Sequence, residues 1–235
     1  MCVLISLLIF GGSLVFISSF IGQVNGVFLV NPTSTTALQQ RGEQVYKQVT
    51  SQNPLYSESL QTHVTAGWRT GTLGPDSCVI KNDGLHIYLA RTNRYVYCNS
   101  GHGKLNDFAL QVDMKILYGA PGAGGGMVIH VNDDKSGFYY FSIAADGNYS
   151  IRLRQNNAWG KFLDVGTSSS FIKGYEVTNT LMVIAQGSTL YFYVNQQFLT
   201  SIQDSTYTLG YVGLKVNSTT SVAEAVYTNA RMWLL

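Results

Sequence analysis

A chain of 235 residues with 15 Lys and Arg against 13 Asp and Glu carries a net charge of only +2, and charged residues make up 12% of it. With no basic run there is no electrostatic footprint for nucleic acid, which is set aside as a partner. The length suffices for one β domain whose core needs no metal, and the abundance of Tyr, Phe, Thr, Ser, Asn and Gly is that of strands joined by turns.

The first element, CVLISLLIFGGSLVFISSFIG, runs from Cys2 to Gly22 without a charge and is long enough to cross a hydrocarbon core. It predicts a transmembrane anchor over residues 1–23. A cleaved signal peptide is the competing reading, but that would have a shorter apolar region preceded by basic residues. The first charge is Arg41, so the positive-inside rule does not orient the span. Residues 24–54 are polar, contain Asn-Pro twice and read as a linker or stalk. A helix from Leu38 to Val49 has too few apolar residues to bury a face. From Leu55 to Leu235 the pattern is one of strands and turns. Within that domain Cys78 and Cys98 flank a predicted strand, GLHIYLA. An even pair behind an export segment reads as a disulfide worth about 3 kcal/mol, with two buried free thiols as the alternative. Both features place the C-terminal domain outside the cytoplasm.

In FALQVDMKI, Phe108, Leu110, Val112, Met114 and Ile116 share one face, and Gln111, Asp113 and Lys115 the other, as in a half-buried strand. The glycine cluster at 119–126 lacks the Lys-Ser/Thr of a phosphate loop and reads as a flexible connection. MVIHV follows as a strand in which His130 alternates away from Met127 and Ile129. Asp133 and Asp134 in HVNDDKSG are turn residues, with a calcium ligand as the alternative. In FYYFSIAADGNYSIRL a two-residue Asp-Gly turn would set Phe141 against Arg152. A three-residue loop, Ala145 to Gly147 with Gly147 left-handed, pairs Ile143 with Tyr149, Phe141 with Ile151 and Tyr139 with Leu153, which gathers the core on one face. Tyr140 then faces Arg152 on a surface that is polar, basic and aromatic. Further strands follow in LMVIAQ, TLYFYVN, FLTSIQ, YVGLKV and VAEAVYTNARMWLL. No amphipathic helix is long enough to cover a parallel sheet, so the sheets are expected to be antiparallel.

The run GGGMVIHVNDDKSGFYYFSIAADGNYSIRL, with NNAWGKFL, GSTLYFYVNQQFLTSIQDSTYTLGYVGLKV and AVYTNARMW, resembles a laminin G-like, concanavalin A-like jelly roll. More narrowly it resembles the bacterial membrane-anchored version related to the 3-keto-disaccharide hydrolase group. The resemblance implies an all-β fold, an antiparallel two-sheet jelly-roll sandwich behind the N-terminal helix. It departs from that pattern at Asn195-Gln196, where relatives often have Asn-Gly and where Gln disfavours the positive φ of a tight turn.

No catalytic constellation is present: there is no paired-carboxylate run of the E-x-D-x-x-E kind, no G-x-S-x-G elbow, and His63, His86, His102 and His130 lack zinc-ligand spacing. No cofactor is expected beyond the calcium alternative. Sugar recognition needs aromatic faces and a few directional polar groups. Tyr140, Arg152, His130 and Lys115, which all point away from the predicted core, are the candidate ligand-binding residues. Trp159 follows a turn and reads as a core-edge side chain, with a loop-borne sugar platform as the alternative. The sequence favours a non-catalytic, membrane-tethered domain outside the cytoplasm that binds a carbohydrate or cell-surface ligand. A glycoside-acting hydrolase and an adhesion module are the alternatives.

Overall fold

A computed structural model describes residues 35–61 and 67–235. The predicted transmembrane segment and His63 lie outside the described residues. Among the described residues no helix is long and apolar enough to cross a membrane.

One helix, α1 (Thr35–Thr50), precedes fifteen strands: β1 (Tyr56–Glu58), β2 (Gly71–Leu73), β3 (Asp76–Lys81), β4 (Gly84–Leu89), β5 (Arg94–Asn99), β6 (Phe108–Tyr118), β7 (Gly124–Val131), β8 (Phe138–Ala144), β9 (Asn148–Gln155), β10 (Ala158–Thr167), β11 (Thr178–Gln186), β12 (Thr189–Val194), β13 (Gln197–Gln203), β14 (Tyr211–Ser218) and β15 (Ala223–Leu234). They form two sheets. The nine-stranded sheet runs β13-β12-β11-β6-β15-β4-β3-β2 with β1 also on β15, and the six-stranded sheet runs β10-β9-β8-β7-β14-β5. Among the described residues every strand pairing is antiparallel, and the architecture is the expected all-β sandwich.

Strict alternation in β6 delivers Phe108, Leu110, Val112, Met114 and Ile116 to the interior, where they meet Met127, Ile129, Tyr139, Phe141, Ile143 and Ile151 from the other sheet. The β8–β9 hairpin has the three-residue loop: Ile143 pairs with Tyr149, Phe141 with Ile151, Tyr139 with Leu153, and Gly147 has φ +90°. Phe141 and Ile151 are fully buried between the sheets. The disulfide Cys78–Cys98 forms and joins β3 of one sheet to β5 of the other.

Three local expectations change. Residues 35–50, read as part of a linker, form α1, which packs Val45, Tyr46 and Val49 on Ala109, Met182, Ile184, Tyr191, Tyr193 and Trp233 outside the nine-stranded sheet. Tyr193 donates to the Gly42 carbonyl at 2.8 Å and Trp233 Nε1 to that of Gln52 at 3.0 Å. The second apolar face of β12 is therefore covered. Gly124–Gly126 belong to β7 instead of a loop, pairing with both β14 and β8, and glycine is required at 125 because a Cβ there would lie 2.2 Å from Met114 Sδ. Asn195 and Gln196 both adopt positive φ, 50° and 66°, so the tight two-residue turn forms in spite of its glutamine. Asn195 anchors it, its Oδ1 accepting from Thr180 N at 2.8 Å and its Nδ2 donating to the Ser170 carbonyl.

Candidate functional site

The outer face of the six-stranded sheet has its own aromatic cluster. Period-two geometry sends Val128, Phe138 and Tyr140 out of the sandwich, where they pack with Val131 and with Tyr95, Tyr97 and Tyr211. Tyr140 lies directly opposite Arg152, and Phe138 opposite Arg154. Asn156 and Asn157, both left-handed at φ 49° and 62°, close the next turn tightly, so that Trp159 pairs with Arg154 and joins the same face.

Trp159 is the hub. Its ring lies edge-on to Tyr140, Tyr95 and Phe138 at centroid distances of 5.1, 5.4 and 6.1 Å. The guanidinium carbons of Arg152 and Arg154 stand 4.7 and 5.3 Å from its centroid, and Arg152 is also 4.4 Å from the Phe162 ring. The Arg152 and Arg154 side chains are thereby held in place by cation–π contact, which offsets part of their ordering entropy. Each has a buried Nε with no hydrogen-bond partner among the described residues. Arg152 donates through Nη2 to the Gly160 carbonyl at 3.2 Å.

Two depressions open on this surface. The larger, about 690 Å³, is lined by residues that include Arg69, Arg91, Arg94, Tyr97, Lys135 and Arg154. The smaller, about 400 Å³, has Tyr140, Ser142, Asn148, Arg152 and Phe162 in its wall. Asn93, Arg94, Tyr95 and Trp159 line both and mark the divide. Burial raises the phenol pKa of Tyr95 against the pull of Arg154, and burial helped by Tyr95 pushes Tyr97 up to about 12. Burial likewise raises Tyr140. Beneath Tyr140 lies Lys215, fully buried, its Nζ 3.9 Å from the ring centroid and donating to Ser142 Oγ at 2.7 Å and Asn217 Oδ1 at 2.6 Å. Burial holds its pKa well below that of an ordinary lysine.

No family model and no curated protein sequence matches the chain. Among solved structures it is similar to the carbohydrate-binding module CBM66 from Bacillus subtilis, at 21% identity and a TM-score of 0.58 over 72% of this chain and 97% of that one. It is also similar to a Bacillus subtilis protein of unknown function with a galectin-like fold, at 13% identity and a TM-score of 0.59 over 77% of this chain and 96% of that one. A Bacillus licheniformis β-glucanase matches at 11% identity and 0.58 over 78% of this chain and 99% of that one. The fold is a jelly roll.

On this jelly roll the four residues singled out from sequence do not meet. Tyr140 and Arg152 are cross-strand neighbours on the aromatic face. Lys115 projects from β6 between Thr178 and Val226, outside the nine-stranded sheet and across the core from Tyr140. His130 is fully buried. A bulge in the β7–β14 ladder, where Val128 pairs with Gly213 but Val131 with Tyr211, breaks the alternation and turns His130 inward. Its φ is 53°, its ring lies edge-on to Phe108 and Tyr139, and its two nitrogens stand 2.9 and 3.0 Å from the carbonyl oxygens of Tyr207 and Asn106. Neither His130 nor Lys115 can contact a ligand held at Tyr140. Sequence reasoning preferred a core-edge role for Trp159 over a sugar platform, placed Arg154 on the polar face without selecting it, and passed over Tyr95. The Asn-Asn turn was the available signal, since a two-residue turn at 156–157 places Trp159 across from Arg154.

Asp133 pairs with Lys104 at 2.6 Å, and Asp134 accepts from Ser136 N at 2.9 Å. Among the described residues no group of three or more His, Cys, Asp or Glu side chains could hold a metal ion.

Proposed function

We propose that this jelly roll binds carbohydrate, laying an oligosaccharide across the outer face of the six-stranded sheet with Trp159 at the centre. The observation that carries the reading is the fixed assembly of Trp159, Tyr95, Tyr140, Arg152 and Arg154 between two connected depressions. Aromatic faces take the C–H surface of a pyranose, and oriented polar groups select its hydroxyls. The depressions together have the size of an oligosaccharide site. A similar solved structure is named as a carbohydrate-binding module, which agrees with this use of the fold. The disulfide supports an oxidising location, and the apolar stretch at Cys2 to Gly22 supports tethering to a membrane with the domain outside the cytoplasm.

Glycoside hydrolysis of the 3-keto-disaccharide type is the weaker reading. A glycosidase brings two carboxyl groups to the scissile bond. Each depression here has one carboxylate in its wall, and both are engaged. Asp76 is bound to Arg91 and to Ala90 N, and Asp146 to Asn148 N.

A glycan array probed with the full chain, beside Trp159→Ala and Arg152→Ala, tests the proposal. Specific glycans bind, and Trp159→Ala weakens them at least about tenfold, the loss of roughly one stacked contact. An empty array, or binding that both substitutions leave intact, refutes it.

A further inference from the structure

The charges on this face are not those of the chain as a whole. Six basic side chains line the two depressions, Arg69, Arg91, Arg94, Lys135, Arg152 and Arg154, against two acids, Asp76 and Asp146. In the full sequence the two signs nearly balance, 15 to 13. Neutralisation within the protein does not restore the balance. Asp76 forms an ion pair with Arg91, and among the described residues no carboxylate lies within ion-pair distance of Arg69, Arg94, Lys135, Arg152 or Arg154. The phenols of Tyr95, Tyr97 and Tyr140 are neutral at physiological pH, as ordinary phenols are, so they supply no offsetting negative charge.

Arginines that serve solubility extend into water and move freely. Arg152 and Arg154 instead lie against Trp159, half-buried, each with its Nε shielded and unpaired. A neutral sugar needs hydroxyl partners, and for those Asn, Gln or a carboxylate serve as well as arginine. Several guanidinium groups with no carboxylate partner among the described residues, arranged around an aromatic divide, match a ligand with planar anionic groups spaced along a chain of rings.

Resting on the carbohydrate reading, we infer that the ligand is an acidic oligosaccharide. Its sugar rings cross Trp159 and Tyr95, while its carboxylate or sulfate groups are taken by Arg94 and Arg154, with Arg69 and Lys135 flanking them in the larger depression. Arg94 lines both depressions, so it is placed to meet an anion on either side of the divide.

The test uses the full chain and glycans matched in everything but charge: oligogalacturonate with its methyl ester, chondroitin sulfate with its desulfated form, and neutral glucan, xylan and fructan oligomers. The acidic member of at least one pair binds, and esterification or desulfation weakens it at least about tenfold. Raising salt from about 0.05 to 0.5 M weakens it further, as screening of exposed arginines requires. Arg94→Gln and Arg154→Gln each lower affinity about tenfold or more, whereas Lys47→Gln, on α1 across the molecule, does not. Arg94 and Arg69 are exposed, so Arg94→Gln and Arg69→Gln should melt like the parent and report on charge alone. The two pairs separate carboxylate from sulfate recognition, and either supports the inference. Neutral oligomers binding as tightly as acidic ones overturn it and leave the carbohydrate reading intact. Acidic binding that ignores both salt and the arginine substitutions overturns it too. An array with no binder overturns both.

Discussion

Replacing both Cys78 and Cys98 by alanine opens a loop whose ends are 20 residues apart in sequence. In the chain-entropy treatment a crosslink across that separation removes about 11 cal/mol/K from the unfolded ensemble, or about 3 kcal/mol at 25 °C. For a domain of this size the loss lowers Tm by roughly 6–12 °C. The position of the bridge adds a local effect. Cys98 sits on β5, which ends the six-stranded sheet and pairs with β14 alone, and β5 also carries Tyr95 and Tyr97. The bridge is the covalent tie from that edge to β3 across the core. Urea unfolding of the double variant, and of the parent with and without reductant, measures the effect. The midpoint falls, and m rises because an uncrosslinked chain exposes more surface on unfolding. A change below about 1 kcal/mol, or a parent midpoint indifferent to reductant, refutes the reasoning.

Among the described residues Lys215 has no carboxylate beside it, and burial sets its folded pKa well below the unfolded value of about 10.4. The folded state therefore binds fewer protons than the unfolded one, and stability rises with pH until the unfolded lysine has titrated. Lys215→Met raises stability at pH 7 by about 1–3 kcal/mol, a gain that fades toward about pH 10.5. Urea midpoints across that range check the sign, and a loss at pH 7 contradicts it. Gln196→Gly relieves a side chain held at φ 66° on an exposed turn and raises stability by about 1 kcal/mol, read as a Tm increase of about 2–4 °C. Gly42→Ala stabilises an ordinary exposed helix by about 1 kcal/mol. Here the added Cβ would stand 2.2 Å from the Phe198 ring, so thermal melts should show a loss. A gain would mean that α1 does not pack on the sheet.

The β8–β9 hairpin was legible because one register alone collects Phe141, Ile143 and Ile151 on a single face, and β6 because its alternation is unbroken over five core residues. Parity assigns a side chain to a face but not to a sheet. Lys115 and Tyr140 both point outward, yet the core separates them, a fact that only the pairing of β6 with β11 and β15 reveals. His130 was misassigned because a bulge depends on the partner strand, which the local sequence does not contain. The α1 face was present as Gly42, Val45, Tyr46 and Val49, one helical stripe. It was overlooked because a glycine contributes to packing by letting Phe198 and the Tyr193 hydroxyl approach, and no hydrophobic count registers that. The glycines of β7 read as a flexible connection for the same reason: what excludes a side chain at Gly125 is Met114 from the opposite sheet.

The central claim, that the outer face of the six-stranded sheet takes the ligand, is tested most directly by the indole N–H resonances of the three tryptophans during titration with a glycan that binds. Trp159 lies in the site, Trp68 in the core between the sheets and Trp233 beneath α1. The account predicts a saturable shift of the Trp159 signal with Trp68 and Trp233 unmoved. A saturating titration that leaves Trp159 in place, or that moves Trp233 instead, contradicts it.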